Sequence, residues 1–516
     1  MSENRYNNLI GEKLEEAILR EKELGTSDLE IGKKYGVTYR YIEKVVTKNK
    51  GINVSEIKNK HTIRSLSPKN FSLETTSIWS FKQRGDWATH NGAYRGNYSP
   101  YIPRNIMLRY SKPGETVLDC FCGGGTTAIE AKLLGRKCLA CDINEQAIAL
   151  AEKNLNFEIS TLPFPDNEIK EFFEPELRVG DARDLSWVES DSIDLICTHP
   201  PYANIIQYTN NKEGDLSFLD VEEFLQEMAE VAAENFRVLK PGGQCAVLIG
   251  DMRRKKHVIP LAFKLINVYL AAGFQLRELI IKRQHNCKTT GFWYESSIKN
   301  NFLLLAHEYL PVFEKPEERE AGKTLKVQEE APGLIINRER LESTIKINQL
   351  ETTTVWLFPR DKKEELTDKN IIKRYSSGDK FEIVKIDASD KKSNGIKLRA
   401  KKDLELVWVK SPALNLDDGK GVNPQDYLER LQSLSFEIQP SLRSGGYLAI
   451  ETRDLRREQH LIPMAKLIVD LLRDEAWWLK EIIVVTEADG QKKFVQGGNL
   501  DFLDIMHSYI LVYERK

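Results

Sequence analysis

Residues 118–127 read Leu118-Asp-Cys-Phe-Cys-Gly-Gly-Gly-Thr-Thr127. The apolar run Thr116-Val117-Leu118 predicts a strand that ends at Asp119, and a helix is expected to begin at Thr126. Strand, glycine turn and helix form the opening unit of a doubly wound α/β sheet, whose ligand lies outside the strand's carboxyl end. Gly123, Gly124 and Gly125 remove every Cβ where the backbone must approach a flat ligand closely. A glycine turn alone says no more than that a nucleotide-like ligand would fit.

The neighbouring segments extend the unit. Thr126–Leu134 and Glu145–Asn154 read as helices, and Lys137–Asp142, Glu176–Val179, Ile193–Thr198 and Gln244–Gly250 as strands. Val221–Leu239 and Ile259–Ala272 are further helices. Phe274–Lys282 and Phe302–Phe313 close the series as an antiparallel pair joined by a loop. Such alternation predicts a mostly parallel sheet covered by helices on both faces. Three acids end successive strands. Asp119 ends the first, and Asp142 ends the second about twenty residues on, where an acid binds ribose hydroxyls in such folds. Asp181 follows the third strand and can accept from an adenine amino group. Together they describe a pocket for an adenosine-bearing ligand.

The fourth strand runs Asp194-Leu-Ile-Cys-Thr-His-Pro-Pro-Tyr202. Pro200 and Pro201 fix the backbone without presenting N–H groups, so carbonyls are left as acceptors beside the Tyr202 ring. A flat base with an exocyclic amine would stack there and donate its protons. At this point the chain resembles the amino-methyltransferases of DNA, which methylate adenine N6 or cytosine N4. Their D-x-F-x-G-x-G turn is Asp119-Cys-Phe-Cys-Gly-Gly-Gly here, and their [D/N/S]-P-P-[Y/F] tetrapeptide is His199-Pro-Pro-Tyr. Ser99-Pro-Tyr-Ile-Pro is similar to the segment that closes over the methionine end of the cofactor, and His307-Glu-Tyr-Leu-Pro-Val-Phe-Glu-Lys to the last strand. The resemblance covers residues 71–315.

It implies a Rossmann-like class I methyltransferase sheet and S-adenosylmethionine as cofactor. It also implies cofactor contacts from Tyr101, Asp119, Phe121, Gly123, Gly124, Gly125, Thr126, Thr127, Asp142, Ile143, Asp181 and Ala182. His199, Pro200, Pro201 and Tyr202 are the implied catalytic set, with no metal and no cysteine nucleophile. His199 departs from the family pattern. A neutral imidazole still accepts one proton and the Pro200 carbonyl another, so activity is expected to fall as His199 protonates. The departure leaves cytosine N4 and adenine N6 both open.

Composition sets outer bounds. At 516 residues, two to four domains are expected. Net charge is −2, from 75 basic and 77 acidic residues, so a nucleic-acid surface must be local. No run of 18 apolar residues and no apolar signal core occur, which predicts a soluble cytoplasmic protein without membrane attachment. The seven cysteines read as reduced thiols. Cys138-x-x-Cys141 spans a strand whose alternation points its two thiols to opposite faces, against a zinc site.

Three expectations concern double-stranded DNA. Residues 1–51 carry a helix-turn-helix pattern whose third helix bears Arg40 and Lys44, with 52–70 as linker. A helical cap with a solvated basic face is the alternative. Arg253, Arg254 and Lys255 follow the fifth strand on the Tyr202 rim and would grip phosphates. Arg283–Asn301, with Trp293 among its aromatics, reads as a loop entering DNA beside a flipped base.

After the domain 71–313 and a charged linker 314–332, residues 333–516 repeat the first half. Leu73-Glu-Thr-Thr-Ser-Ile-Trp-Ser-Phe81 returns as Leu350-Glu-Thr-Thr-Thr-Val-Trp-Leu-Phe358, Asp251-Met-Arg-Arg254 as Asp454-Leu-Arg-Arg457, and His307-Glu-Tyr309 as His507-Ser-Tyr509. Phe381–Lys392 has no glycine cluster, and Lys410-Ser-Pro-Ala-Leu414 stands for Thr198-His-Pro-Pro-Tyr. A degenerate methyltransferase-like domain is therefore expected, serving as scaffold or DNA platform. The functional expectation is a site-specific DNA methyltransferase of restriction-modification or phage defence, beside an endonuclease or other defence partner. An RNA (tRNA guanine-N2) amino-methyltransferase and a non-catalytic DNA-binding regulator are the alternatives.

Overall fold

The computed structural model describes residues 12–38, 41–42, 45–46, 63, 65–92, 94, 96–157, 171–203, 207–209, 212–285, 288–317, 334–335, 350–386, 403–411, 423–473, 476–488 and 502–516. The amino-terminal unit begins with α1 (Glu12–Glu23) and α2 (Asp28–Tyr35). Ser27 caps α2 through a reciprocal box with Glu30, and Gly36, at φ 66°, ends it in the left-handed region. Ile18, Ile31, Ile42 and Val45 form a small buried core. Arg40 and Lys44 lie outside the described residues.

The first sheet uses β1 (Ile78–Ser80), β2 (Thr116–Asp119), β3 (Lys137–Asp142), β4 (Glu176–Val179), β5 (Ile193–Thr198), β6 (Leu239–Val247), β9 (Gln275–Arg283) and β10 (His307–Glu314). A hairpin of β7 (Met252–Arg254) and β8 (His257–Ile259) stands apart from it. Strand order is β4-β3-β2-β5-β6-β10-β9-β1, with β10 antiparallel to both neighbours and every other pairing parallel. This is the class I methyltransferase sheet with β1 added at one edge.

Alternate strand residues enter separate cores, as the pleat requires. Val117, Cys138 and Leu195 face α3 (Tyr101–Tyr110), α4 (Thr126–Leu133) and α5 (Glu145–Leu155). Leu118, Cys141 and Ile196 face α6 (Val221–Val238) and α7 (Leu261–Ala271). Each fully buried Phe, Leu or Ile in these layers contributes about 1.5–3 kcal/mol. Between β9 and β10 the expected loop is instead a helix, α8 (Lys288–Asn300). Phe292 on α8 packs into the amino-terminal core, and a Cβ on Gly32 would stand 2.8 Å from its ring. Trp293 is therefore on a docked helix, 39% exposed, rather than on a loop.

The second sheet comprises β11 (Leu334–Ile335), β12 (Val355–Phe358), β13 (Phe381–Ile386), β14 (Leu404–Lys410), β15 (Leu442–Thr452), β18 (Trp477–Glu487) and β19 (His507–Arg515). Its order, β11-β13-β14-β15-β19-β18-β12, follows the first sheet from β2 to β1, with β19 as the antiparallel strand corresponding to β10. The helices α9 (Lys363–Tyr375), α10 (Pro424–Ile438) and α11 (Met464–Leu471) stand in the places of α3, α6 and α7, and a hairpin of β16 (Leu455–Arg457) and β17 (His460–Ile462) answers β7–β8. Next to β13, where β3 would run parallel, β11 pairs antiparallel.

The two halves meet across an approximate twofold. Arg253 on β7 donates to Glu481 Oε2 at 2.5 Å and to the carbonyls of Leu303 and Lys480. Arg456 on β16 pairs in the same way with Glu278, and with the carbonyls of Arg277 and Leu503. Ser77 bonds His507 at 2.8 Å, and Thr354 bonds His307 at 2.9 Å. Arg253 is thus committed to the seam between halves and not to phosphate, because a buried carboxylate needs its charge. Arg254 and Lys255 remain exposed at the hairpin turn.

Candidate active site

The carboxyl ends of β2, β3 and β5 open onto a cleft. Phe121, Gly123, Asp142, Ile143, Asp181, Ala182, His199 and Pro201 line it, together with Tyr94, Asn97, Tyr98, Tyr208 and Asp215. The glycine turn is built by the local chain. Gly123 and Gly125 take φ of 50° and 82°, a conformation that glycine adopts without strain. A Cβ on Gly123 would meet the Tyr94 ring at 2.8 Å, and one on Gly125 the Ala151 Cβ at 3.0 Å. The missing side chains make room for an aromatic wall and for α5, a tighter demand than the ligand approach expected from sequence.

Asp142 accepts from Gly123 N at 2.9 Å and from Asn144 N at 2.9 Å, which aims its carboxylate along the cleft floor. Desolvation pushes it up to about 6, against those backbone donors. Asp119 does not line the cleft. It is fully buried and accepts from the Thr198 hydroxyl at 2.7 Å, the Thr127 hydroxyl at 2.5 Å and Phe121 N at 3.1 Å. It locks the turn to β5 and α4, and burial pushes it up to about 6. Thr126, bonded to Asn97, and Thr127 likewise brace the turn, and Gly124 is packed beneath Asn97 and Tyr94. Asp181 faces the cleft while held by Arg183, which also pairs with Glu227.

The aromatic segment before α3 is tied down from below. Fully buried Glu130 on α4 accepts from Trp87 Nε1 at 2.6 Å and Arg104 Nη1 at 2.8 Å, and bonds His90 Nε2 at 2.7 Å. Tyr101 stacks on Phe81 with ring centroids 5.0 Å apart, so it is held in this cluster and not in the cleft wall. Tyr98 takes the place expected of Tyr101: its hydroxyl meets Thr127 and its ring stands 5.3 Å from His199. Tyr94 stacks on Tyr208 at 6.1 Å as a second wall.

His199 and Pro201 line the cleft, Pro200 is buried behind them, and Tyr202 stands alongside. The Tyr202 ring lies against Gly250, where a Cβ would come within 2.8 Å. Its hydroxyl donates to Glu308 Oε1 at 3.0 Å and meets His199 Nε2 at 2.8 Å. Lys282 donates to the other Glu308 oxygen at 2.7 Å. Desolvation opposes the Glu308 charge, but Lys282 and His199 outweigh it and hold the carboxyl down to about 2. His199 is held down to about 4 by desolvation, although Glu308 works the other way. The imidazole is therefore neutral near neutrality, and the loss of activity expected on its protonation falls at acid pH. Glu308 stands in the last-strand motif without a role assigned from sequence, and Lys282, Tyr94 and Tyr98 were not singled out.

Cys120, Cys122, Cys138 and Cys141 are buried free thiols. Among the described residues no cluster of His, Cys, Asp or Glu is placed to hold a metal ion, and no helix is long and apolar enough to cross a membrane.

Comparison with known proteins bears on the same segments. The family profile for DNA methylases of the N6/N4 type matches residues 11–153 and 193–408, well over half of the chain. The chain belongs to the DNA methylase family. A general methyltransferase-domain profile also matches residues 111–264. The Type II methyltransferase M1.MboII of Moraxella bovis is 47% identical over 84 residues, 15% of this chain and 32% of that protein. The Type II methyltransferase M.MthZI of Methanothermobacter thermautotrophicus is 27% identical over 210 residues, 37% of this chain and 57% of that protein. A tRNA (guanine(10)-N2)-dimethyltransferase of Methanocaldococcus jannaschii is 31% identical over 136 residues, 25% of this chain and 33% of that protein. The chain thus spans between a third and just over half of these relatives' lengths. Among solved structures, a SAM-dependent methyltransferase from Methanosarcina mazei is 17% identical with a TM-score of 0.29, covering 41% of this chain and 98% of that one. S-adenosylmethionine is the cofactor of this family, and the cleft's residues suit it: carboxylates stand at two strand ends beside a glycine turn and aromatic walls.

Proposed function

We propose that this methylase transfers a methyl group to an exocyclic amino nitrogen, adenine N6 or cytosine N4, of a base flipped out of double-stranded DNA. The observation that carries the reading is the placement of His199 and Pro201 in the wall of the cleft that Asp142 floors, with Tyr202 alongside. S-adenosylmethionine supplies an activated methyl on sulfur, so the protein's tasks are positioning and charge removal. Asp142 offers acceptors for ribose hydroxyls, and Asp181, already bonded to Arg183 and lining the same cleft, offers one to an adenine amino group. Tyr202 provides a stacking face, and His199 with the Pro200 carbonyl accepts the amine protons.

Type II methyltransferases among the relatives favour DNA and a restriction-modification setting with an endonuclease partner. The tRNA guanine-N2 enzymes among them favour an RNA substrate as the second reading. Radiolabelled methyl transfer to unmodified duplex DNA and to unmodified tRNA separates the two: transfer to DNA is expected, and transfer to tRNA alone overturns the DNA reading.

We further infer that residues 333–516 are a duplicate of the catalytic unit that has lost its cofactor site. Its sheet order and hairpin support this reading. Strand register sets Cys197 against Trp408, Thr198 against Val409 and His199 against Lys410, one residue from the motif alignment. Lys410 is tied to Glu364 and Asp368, which closes that position to a substrate.

A further inference from the structure

Two basic segments leave the first sheet side by side. β1 and β9 are parallel to each other, and the pairings through β10 and β6 set both in the same direction as β5 and β2. Their carboxyl ends therefore open on the end of the sheet that holds the cleft. Phe81-Lys-Gln-Arg84 follows β1, and β9 ends in Lys282-Arg283, with Gln284-His285 after it. Ser80 Oγ and His285 Nε2 bond at 2.9 Å, which ties the two chains together as they leave the sheet. Lys282 donates to Glu308 at 2.7 Å, and Glu308 accepts from Tyr202 at 3.0 Å, so these segments stand beside the substrate wall.

Lys282 is neutralised by Glu308. Lys82, Arg84 and Arg283 have no carboxylate partner among the described residues. Lys82 is exposed and Arg283 partly so. Desolvation lowers Arg283 from its ordinary range, with no acid acting the other way. Arg84 lies deeper: it donates to the Asn97 carbonyl at 2.6 Å, and its other two nitrogens are closed off from the surface. It adds charge behind the rim, and no contact is assigned to it. A partly desolvated guanidinium without a counter-ion is unfavourable, and an anion from outside would offset that cost.

The second half supplies the comparison. In sheet register, Leu357 and Thr486 stand where Ser80 and Arg283 stand. Pro359 follows Phe358 where Lys82 follows Phe81. Arg360, the next residue, pairs with Glu487 at 3.9 Å. The half without the Pro-Pro-Tyr thus lacks both basic residues, although its strands pair in the same register. Strand pairing does not need Lys82 or Arg283.

We infer that Lys82 and Arg283 form a phosphate-binding rim that holds duplex DNA by its backbone beside the cleft, on the Tyr202 side. The inference rests on the DNA reading above. A base flipped into the cleft keeps its phosphates outside, so its strand must cross this end of the sheet. The side over β2 and β3 is taken by the residues that suit the cofactor, which leaves the β9 and β1 side for the strand. Phosphate contacts of this kind fix the register of the duplex and carry no sequence information directly. With a net charge of −2 over the whole chain, attraction to a polyanion has to come from such a local patch.

The test measures the affinity of the full chain for short unmodified duplex DNA by fluorescence anisotropy across a salt series, with S-adenosylmethionine Kd and thermal midpoint as controls. K82Q and R283Q should each weaken binding and make the slope of log K against log salt shallower by about 1, and the double variant by about 2. KM for duplex DNA should rise in the same order, with the cofactor Kd unchanged. R360Q, on the corresponding rim of the second half, should keep the wild-type slope. K82Q alters an exposed side chain, so it reports on the rim even where R283Q fails to fold. A wild-type slope in K82Q, or an equal loss of slope in R360Q, would overturn the assignment. Wild-type protein that binds tRNA and no duplex DNA overturns the substrate reading instead, so the two failures are separate.

Discussion

Arg253 crosses from the first half to the buried carboxylate of Glu481, and the pairing is repeated with halves exchanged by Arg456 and Glu278. Each carboxylate is almost completely buried and also accepts a backbone N–H, from Leu303 or Leu503. The seam therefore couples the folding of the two halves. Replacing Arg253 by Met should cost about 3–5 kcal/mol, because it strands a buried charge. Chemical denaturation should show one cooperative transition at a lower midpoint, and E278Q should remain closer to wild type than R456M. A phosphate-gripping role for Arg253 predicts the opposite: normal stability and a shallower salt dependence of DNA binding.

Cutting the chain after Glu314 removes the partners of Ser77, Thr76 and Glu278 and exposes Phe263 and Tyr309. Residues 1–314 alone should be insoluble or inactive. A soluble fragment with full methyl transfer would show that the second half is dispensable.

Asp142→Ala should weaken S-adenosylmethionine binding by roughly tenfold to a hundredfold, as lost charge-assisted hydrogen bonds of about 1.5–3 kcal/mol would. Calorimetry checks this, with thermal unfolding as the control for fold. Asp119→Asn should act differently, lowering stability through Thr127 and Thr198 while leaving the cleft residues in place.

Cofactor affinity should rise with pH through about 6, where Asp142 ionises. The stability balance has the reverse sign for that group. Its folded value lies above the ordinary 3.8, so its contribution is full below about 4 and is lost as pH rises through about 6. Glu308, held down to about 2, contributes stability above about 4.5 that disappears as pH falls toward 2. His199 protonates only near 4 and should leave no inflection in kcat between pH 5.5 and 8. Binding isotherms and single-turnover rates across pH 5–8 test both halves of this prediction.

Much of the sheet was legible because its signals are local. Glycine turn, apolar strands and capped helices each sit within a dozen residues, and Cys138 and Cys141 enter opposite cores as alternation requires. What sequence could not show lies between distant segments. Glu308 meets Tyr202 across 106 positions, and nothing in either local pattern announces the bond. Arg253 looks like a surface charge run until its partner, 228 residues on, is in place. Tyr101 and Tyr98 are three residues apart in one aromatic block. Only the stacking of Tyr101 on Phe81 decides which of them reaches the cleft.

The central claim is that the cleft in the first half is where this chain methylates an amino nitrogen in DNA. Mass spectrometry of nucleosides from cells expressing the wild-type chain tests it most directly, with Y202A as the control. The account predicts N6-methyladenine or N4-methylcytosine in DNA from wild-type cells and neither from Y202A cells. Unmodified DNA, with a methyl group appearing on tRNA guanine N2 instead, would contradict it.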